Sequence, residues 1–89
     1  MEAVTRDDVI AKLRELNPRA AQMDLAMYAD LFAEYRAAQA NITEHGAIVS
    51  HPKSGAPISN PYIAVRNAAA KTLRALRIQA GALWDESGA

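Results

Sequence analysis

Five basic side chains lie between residues 45 and 84, and no acidic side chain lies among them. Guanidinium and ammonium groups neutralise phosphates, so a basic stretch without acids is the electrostatic pattern expected of a nucleic-acid contact. The same pattern is also typical of a solvated helix face, or of a face that pairs with acids elsewhere. The five candidate phosphate contacts are Lys53, Arg66, Lys71, Arg74 and Arg77.

The formal net charge of the 89-residue chain is zero, which conceals an uneven distribution of charge. Residues 1–44 contain five basic and eight acidic side chains, a balance of −3. Residues 45–84 carry +5, and Asp85 and Glu86 return the sum to zero. This difference suggests an anionic partner for the second half, although the acids of the first half offer an internal alternative.

Other kinds of chemistry have little support in the sequence. His45 and His51 lie six residues apart in a segment without helical periodicity, and the chain has no cysteine and no HExxH motif. The four glycines are scattered, so there is no phosphate-binding glycine loop. An enzyme would need a pocket that gathers these histidines with acids. We therefore predict a non-enzymatic protein without a metal or a cofactor.

The basic residues must be positioned by helices, and the first of these is predicted over about residues 6–16 of an N-terminal region, 1–20. Thr5 and Asp8 have the spacing of a shortened capping box. Asn17-Pro18 ends the helix, because the residue before a proline avoids the helical conformation. A second, amphipathic helix is predicted over residues 24–46, with Asp24 as its N-cap and Gly46 as its closing residue.

The basic stretch itself is predicted to form a third helix over residues 60–81. Asn60 is a strong N-cap and Pro61 suits the first helical position. Residues 47–59 predict a short β-hairpin or an irregular loop, and residues 82–89 form a tail. The predicted fold class is all-α: one helical domain of three helices, in which the second and third are long and antiparallel.

So small a chain has a thin core. A domain of this size buries only about 60–65% of the surface that its unfolded chain exposes, and no disulfide can supplement it. Two long amphipathic helices then leave apolar surface for another subunit, which predicts a homo-oligomer. The candidate oligomer interface comprises Leu25, Tyr28, Leu31, Phe32, Tyr35, Tyr62, Leu73 and Leu76.

The order of these segments resembles a known family. A long acidic helix ends in Glu44-His45-Gly46, a turn follows at Lys53-Ser54-Gly55-Ala56-Pro57, and Asn60-Pro61 opens a helix that contains Ala68-Ala69-Ala70-Lys71-x-Leu73-Arg74-x-Leu76. This arrangement is similar to the small subunit of phage terminases, in the short type found in tailed phages and prophages. The resemblance covers about residues 24–80.

The resemblance implies a DNA-packaging factor without enzymatic activity. Small terminase subunits form homo-oligomeric rings, recognise the double-stranded viral genome and regulate the ATPase and nuclease of the large terminase subunit. In that family the N-terminal part often contacts DNA. A second set of candidate DNA contacts is therefore Arg6, Lys12 and Arg14.

An alternative function is a small helical protein-interaction or adaptor module that does not bind DNA. Its basic helix flank would dock an acidic partner, and it would form a defined dimer instead of a ring. Under either function we expect a cytoplasmic protein; for the packaging factor this is the cytoplasm of the bacterial host. We expect no membrane partner, since no apolar run approaches the roughly 20 residues that span a bilayer.

Overall fold

A computed structural model describes residues 5–81 and 83–86 of the chain. The elements in chain order are α1 (Arg6–Leu16), α2 (Gln22–His45), β1 (Ile48–Ser50), β2 (Pro57–Ser59), α3 (Tyr62–Ala75) and a single turn, α4 (Leu83–Glu86). The predicted tail therefore contains a short helix, and the rest of it lies outside the described residues, as do residues 1–4.

The limits of α1 and its capping box are confirmed. The Thr5 hydroxyl accepts a hydrogen bond from the backbone N–H of Asp8, and the Asp8 carboxylate accepts one from the N–H of Thr5. Both interactions satisfy N–H groups that a helix start leaves without intrahelical partners. At the other end, the Asn17 side chain donates to the carbonyls of Leu13 and Gln79, so it ties the end of α1 to the segment after α3.

The second helix begins two residues before the predicted Asp24. Its N-cap is Ala21, which supplies no side-chain hydrogen bond, and Asp24 lies in the first turn, where a carboxylate interacts favourably with the helix dipole. Gly46 closes the helix with a φ of 87°. The prediction of this glycine was correct, since a positive φ is unfavourable for residues that carry a Cβ atom.

Of the two predicted alternatives for residues 47–59, the hairpin is the one observed. The strands β1 and β2 are antiparallel, with Ile48 opposite Ser59 and Val49 opposite Ile58. In the turn, the Nδ1 atom of His51 accepts hydrogen bonds from the N–H groups of Lys53 and Ser54, at 3.1 and 3.2 Å. The side chain of His51 therefore acts as a turn-stabilising acceptor.

The start of α3 agrees with the prediction in part: the helix begins at Tyr62 and its N-cap position is Pro61, whereas Asn60 still bonds the first turn. Asn60 is only 2% exposed, and its side-chain oxygen accepts from the N–H of Tyr62. Its side-chain nitrogen donates to Asn41 and to the carbonyl of Gly46. One buried side chain thus joins the end of α2, the base of the hairpin and the start of α3.

The predicted end of α3 was wrong. The helix ends at Ala75 instead of residue 81, so it has 14 residues against the 24 of α2 and is not a second long helix. The cause lies at Arg77, whose φ of 53° is incompatible with a continuing right-handed helix. Periodicity alone did not reveal this ending, because Leu76 and Ala80 keep a helical spacing beyond it.

The core lies at one end of an elongated molecule. It is formed by α1, the first half of α2, the end of α3 and α4, and it includes Val9, Leu13, Leu25, Tyr28, Ala29, Phe32, Leu73, Ala80 and Leu83. The opposite end consists of the last turns of α2, the hairpin and the start of α3. The radius of gyration is 15.2 Å, whereas a compact globular chain of this length has about 12 Å.

The helix α3 runs antiparallel to α2, as two contacts between them show. Asn60, before its first turn, bonds Asn41 near the end of α2, whereas Leu73 in its last turn lines a groove with Tyr28. Within the described parts of the chain, no helix has both the length and the apolar content needed to cross a membrane.

Candidate nucleic-acid interface

The candidate cations of the second half differ in how far they are engaged by the fold. Arg66 is half-buried, and its guanidinium donates to the side-chain oxygens of Gln39 at 3.2 Å and of Asn67 at 3.3 Å. This residue joins α3 to α2. Its charge still contributes to the local potential, but the side chain has a structural role.

Four of the five cations are exposed and make no side-chain hydrogen bond or ion pair with any of the residues that the structure describes. They are Lys53, Lys71, Arg74 and Arg77. The predicted internal alternative, in which acids of α2 neutralise the basic helix, is not observed for these side chains: Asp30 bonds Arg6, and Glu44 lies 3.8 Å from His45.

The four exposed cations are not all in one place. Lys71 and Arg74 lie on α3, and Arg77 lies two residues beyond its last residue, Ala75, so three exposed cations lie within seven residues of the chain. Lys53 belongs to the hairpin turn at the other end of the molecule. The name "α3 strip" is used below for Lys71, Arg74 and Arg77.

Two of the three candidate DNA contacts on α1 form hydrogen bonds within the protein. Arg6 pairs with Asp30, with 2.7 Å between Nε and Oδ1, and both side chains are more than half exposed. The hydrogen bond between them is the main cause of a lowered pKa at the Asp30 carboxyl and of a raised pKa at Arg6. The Asp30 carboxylate offsets the positive charge of Arg6, so the net charge of the pair is zero and does not attract a phosphate.

Arg14 has a different structural role. Its Nη1 atom donates to the carbonyls of Pro18 and Ala20, at 3.1 and 2.8 Å, and its Nη2 atom donates to the side chain of Gln22. These bonds hold the turn between α1 and α2. Lys12 is exposed on α1. The structure therefore uses two of the three α1 cations to organise its N-terminal part.

A groove opens beside the α3 strip. It has a volume of about 360 Å³, and its walls are formed by Tyr28, Tyr35, Ala70, Leu73, Arg74, Arg77, Ile78 and Trp84. Trp84 packs edge-on against Tyr35 and Phe32, with ring centroids 5.2 and 4.4 Å apart, and its indole N–H donates to the hydroxyl of Tyr28. The strip and an aromatic groove thus adjoin.

The sequence did not indicate that Ile78 and Trp84 belong to this site. Ile78 fell inside the predicted helix over residues 60–81 and Trp84 in the predicted tail, and neither was assigned a role. The available signal was the one tryptophan of the chain standing next to an apolar Leu83. Such a residue more often packs on the body of a protein than extends into solvent.

The residues of the predicted oligomer interface differ in how far a single chain exposes them. Leu25, Tyr28, Phe32 and Leu73 are each at most 6% exposed, because the core of a single chain already uses their apolar surface. Leu31, Tyr35 and Leu76 are half-buried against this core. Of the eight residues only Tyr62 is strongly exposed, at 44%. Whether these residues contact another subunit stays a prediction.

The histidines do not form a site together. His51 is engaged in the hairpin turn, and His45 is exposed at the end of α2 beside Glu44. Among residues 5–81 and 83–86, no group of three histidine or acidic side chains is arranged to hold a metal ion.

The described chain is a small helical unit in which exposed cations adjoin an aromatic groove. The sequence model of a family described as "Phage terminase, small subunit" matches residues 5–81. The chain therefore belongs to the phage terminase small-subunit family, as the order of its segments predicted. No curated protein and no solved structure matches it.

Proposed function

We propose that this protein is the DNA-recognition subunit of a phage packaging machine and that it contacts double-stranded DNA through the α3 strip. Membership of the terminase small-subunit family supports a role in phage DNA packaging. The observation that carries the proposal is the exposure of Lys71, Arg74 and Arg77 without intramolecular partners in the described chain, in a segment that contains no acid.

The contact is electrostatic in origin. Each phosphate that a cation neutralises releases condensed counterions, so affinity arises without any base-specific hydrogen bond. Lysine and arginine on the exposed side of one helix suit the backbone of a duplex, which is regular and negatively charged along its length. The role is one of binding and regulation, with no catalytic chemistry assigned to this chain.

We further propose that the protein acts as a homo-oligomeric ring that regulates the large terminase subunit from the host cytoplasm. Its elongated shape and the exposed apolar side chains at the hairpin end, Ile48 at 62% and Tyr62 at 44%, support self-association. A ring would repeat the α3 strip around the assembly and so raise the potential that DNA meets. Weak contacts by single subunits would then suffice.

The function is tested by size-exclusion chromatography with light scattering, followed by fluorescence anisotropy with a labelled duplex at about 50 and 200 mM salt. We expect an oligomer whose affinity falls by about fortyfold or more over this range, as three phosphate contacts per subunit predict. Arg74→Ala/Arg77→Ala should weaken binding further. The matched control is Lys12→Ala/Arg19→Ala, which removes the same charge elsewhere.

A monomer or dimer that ignores DNA would contradict this function and favour the adaptor module. The two functions predict opposite results for an acidic protein partner. If the protein is an adaptor, an acidic protein partner should bind through Arg74 and Arg77, and duplex DNA should not displace it. If the protein is a packaging factor, duplex DNA should displace the acidic partner.

A further inference from the structure

We propose that the groove beside α3 binds one unpaired nucleotide, with its base inside the groove and its phosphate on Arg74 and Arg77. This inference rests on the proposed DNA contact and adds a preference for single-stranded DNA, such as an overhang or a frayed end. Three independent observations support it: the composition of the groove, its size and the backbone conformation of Arg77.

The composition of the groove fits a nucleotide. Its inner wall is apolar and aromatic, with Leu73 and Tyr28 each at most 6% exposed, and the exposed arginines Arg74 and Arg77 stand at its edge. Proteins that bind single strands combine a positively charged path for the backbone with aromatic side chains against the bases. The α3 strip provides such a path, because Lys71 continues it along the helix.

The size of the groove argues against a folded protein partner. A stable protein–protein interface involves about 20–30 residues on each side, whereas this groove has eight lining residues and a volume of about 360 Å³. It suits a single flat group with a charged substituent. A paired base within a duplex cannot enter it, since its edge is hydrogen-bonded and its faces are stacked.

The backbone of Arg77 suggests that this side chain is retained for binding. Arg77 follows the last turn of α3 with a φ of 53°, in the left-handed region where helices most often end in glycine. It is the one residue other than glycine with a positive φ within residues 5–81 and 83–86. Such conformations cluster at functional sites, where another requirement compensates for the strain.

The test uses the full-length protein and the fluorescence of Trp84, the single tryptophan of the chain, which lines the groove. An oligothymidine of about 12 nucleotides is compared, at equal phosphate concentration, with a relaxed, covalently closed circular duplex, which has no ends and no unpaired loops. We expect the oligothymidine to change the fluorescence of Trp84 and to bind about fivefold or more tightly than the duplex, the effect of one stacked base.

Substitutions then separate the groove from the strip. Arg77→Gly should weaken both ligands, and the single strand by the larger factor, so that the preference falls; the thermal midpoint should not decrease, because glycine suits the left-handed conformation. Tyr35→Leu, which removes a ring but keeps an apolar wall, should reduce the preference in the same way. The control Lys71→Ala removes a charge outside the groove and should weaken both ligands by the same factor.

The outcomes distinguish this inference from the proposed function. Equal binding of both ligands with no change at Trp84, or an undiminished preference in Arg77→Gly and Tyr35→Leu, would overturn the groove and leave the duplex contact standing. If neither ligand binds, the proposed DNA contact fails and this inference fails with it.

Discussion

The cations of α1 and the cations of α3 look alike in the sequence and differ in the structure. Arg6 and Arg14 on α1 are engaged, one by a carboxylate and the other by backbone carbonyls. Lys71 and Arg74 on α3 are exposed and have no such partner in the described chain. The number of charges in a segment therefore does not determine how many are available to a ligand.

The reason for this difference lies in what each helix must hold. The helix α1 connects to α2 through a short turn whose carbonyl groups lack strand or helix partners, and Arg14 supplies the missing donors. The helix α3 is positioned by the buried Asn60, by the hydrogen bond from Arg66 to Gln39 and by apolar packing of Ala69 and Leu73. Lys71 and Arg74 take part in none of these hydrogen bonds.

The largest effect on stability is expected when Arg14 is removed. Arg14→Ala leaves the carbonyls of Pro18 and Ala20 without their donor and should lower the free energy of unfolding by about 1.5 kcal/mol. Urea denaturation followed by circular dichroism measures this change. Arg14→Lys is the control, because a lysine keeps the charge but lacks the planar fork of donors with which arginine bonds these acceptors. If Arg14→Ala kept its full stability, the proposed difference between the cations of α1 and those of α3 would be contradicted.

A smaller and pH-dependent effect is expected from the pair of Arg6 and Asp30. The pKa of the Asp30 carboxyl is lowered in the folded state, so near that pKa the unfolded chain binds more protons. The stabilisation is present above the ordinary aspartate pKa and is lost as the pH falls from about 5 towards 2.

Asp30→Asn should therefore reduce the loss of unfolding free energy between about pH 5 and pH 2. Added salt should also reduce this loss, because both side chains of the pair are largely exposed and salt screens their interaction. Thermal unfolding of the two proteins at a series of pH values provides the comparison. Parallel profiles for the wild-type protein and Asp30→Asn would show that the pair has no measurable linkage to folding.

The smallest effect on stability is expected from the α3 strip. Lys71→Ala and Arg74→Ala each remove an exposed side chain without a partner in the described residues, so the free energy of unfolding should change by less than about 0.5 kcal/mol. The same denaturation experiment measures it. A loss of more than about 1 kcal/mol from either change would mean that the strip contributes to the fold after all.

Local chemistry explains which parts of the fold could be predicted from the sequence. The capping box of Thr5 and Asp8 and the positive φ of Gly46 depend on residues close in the chain, and both were found as predicted. The hydrogen bond from the Tyr62 N–H to Asn60 is equally local, although Pro61 occupies the N-cap position. The end of α3 was missed because an arginine occupies a position where glycine is usual, and arginine gives no local warning.

The candidate site was harder to predict for a physical reason. Periodicity identifies which side chains share an apolar face, but it does not show whether the same chain or another subunit covers that face. Leu25 and Phe32, for example, were predicted at an interface between subunits, and both are buried within the single chain. The groove was missed because it depends on the return of Trp84 to Tyr28, two residues that are 56 positions apart.

The most direct test of the central claim is the salt dependence of duplex binding in two charge-matched variants. The account predicts that Arg74→Ala/Arg77→Ala reduces the slope of log affinity against log salt by about 2, since two phosphate contacts are lost. Lys12→Ala/Arg19→Ala should leave the slope unchanged. The opposite result, a reduced slope only in the second variant, would contradict the account and assign DNA to the α1 side of the molecule.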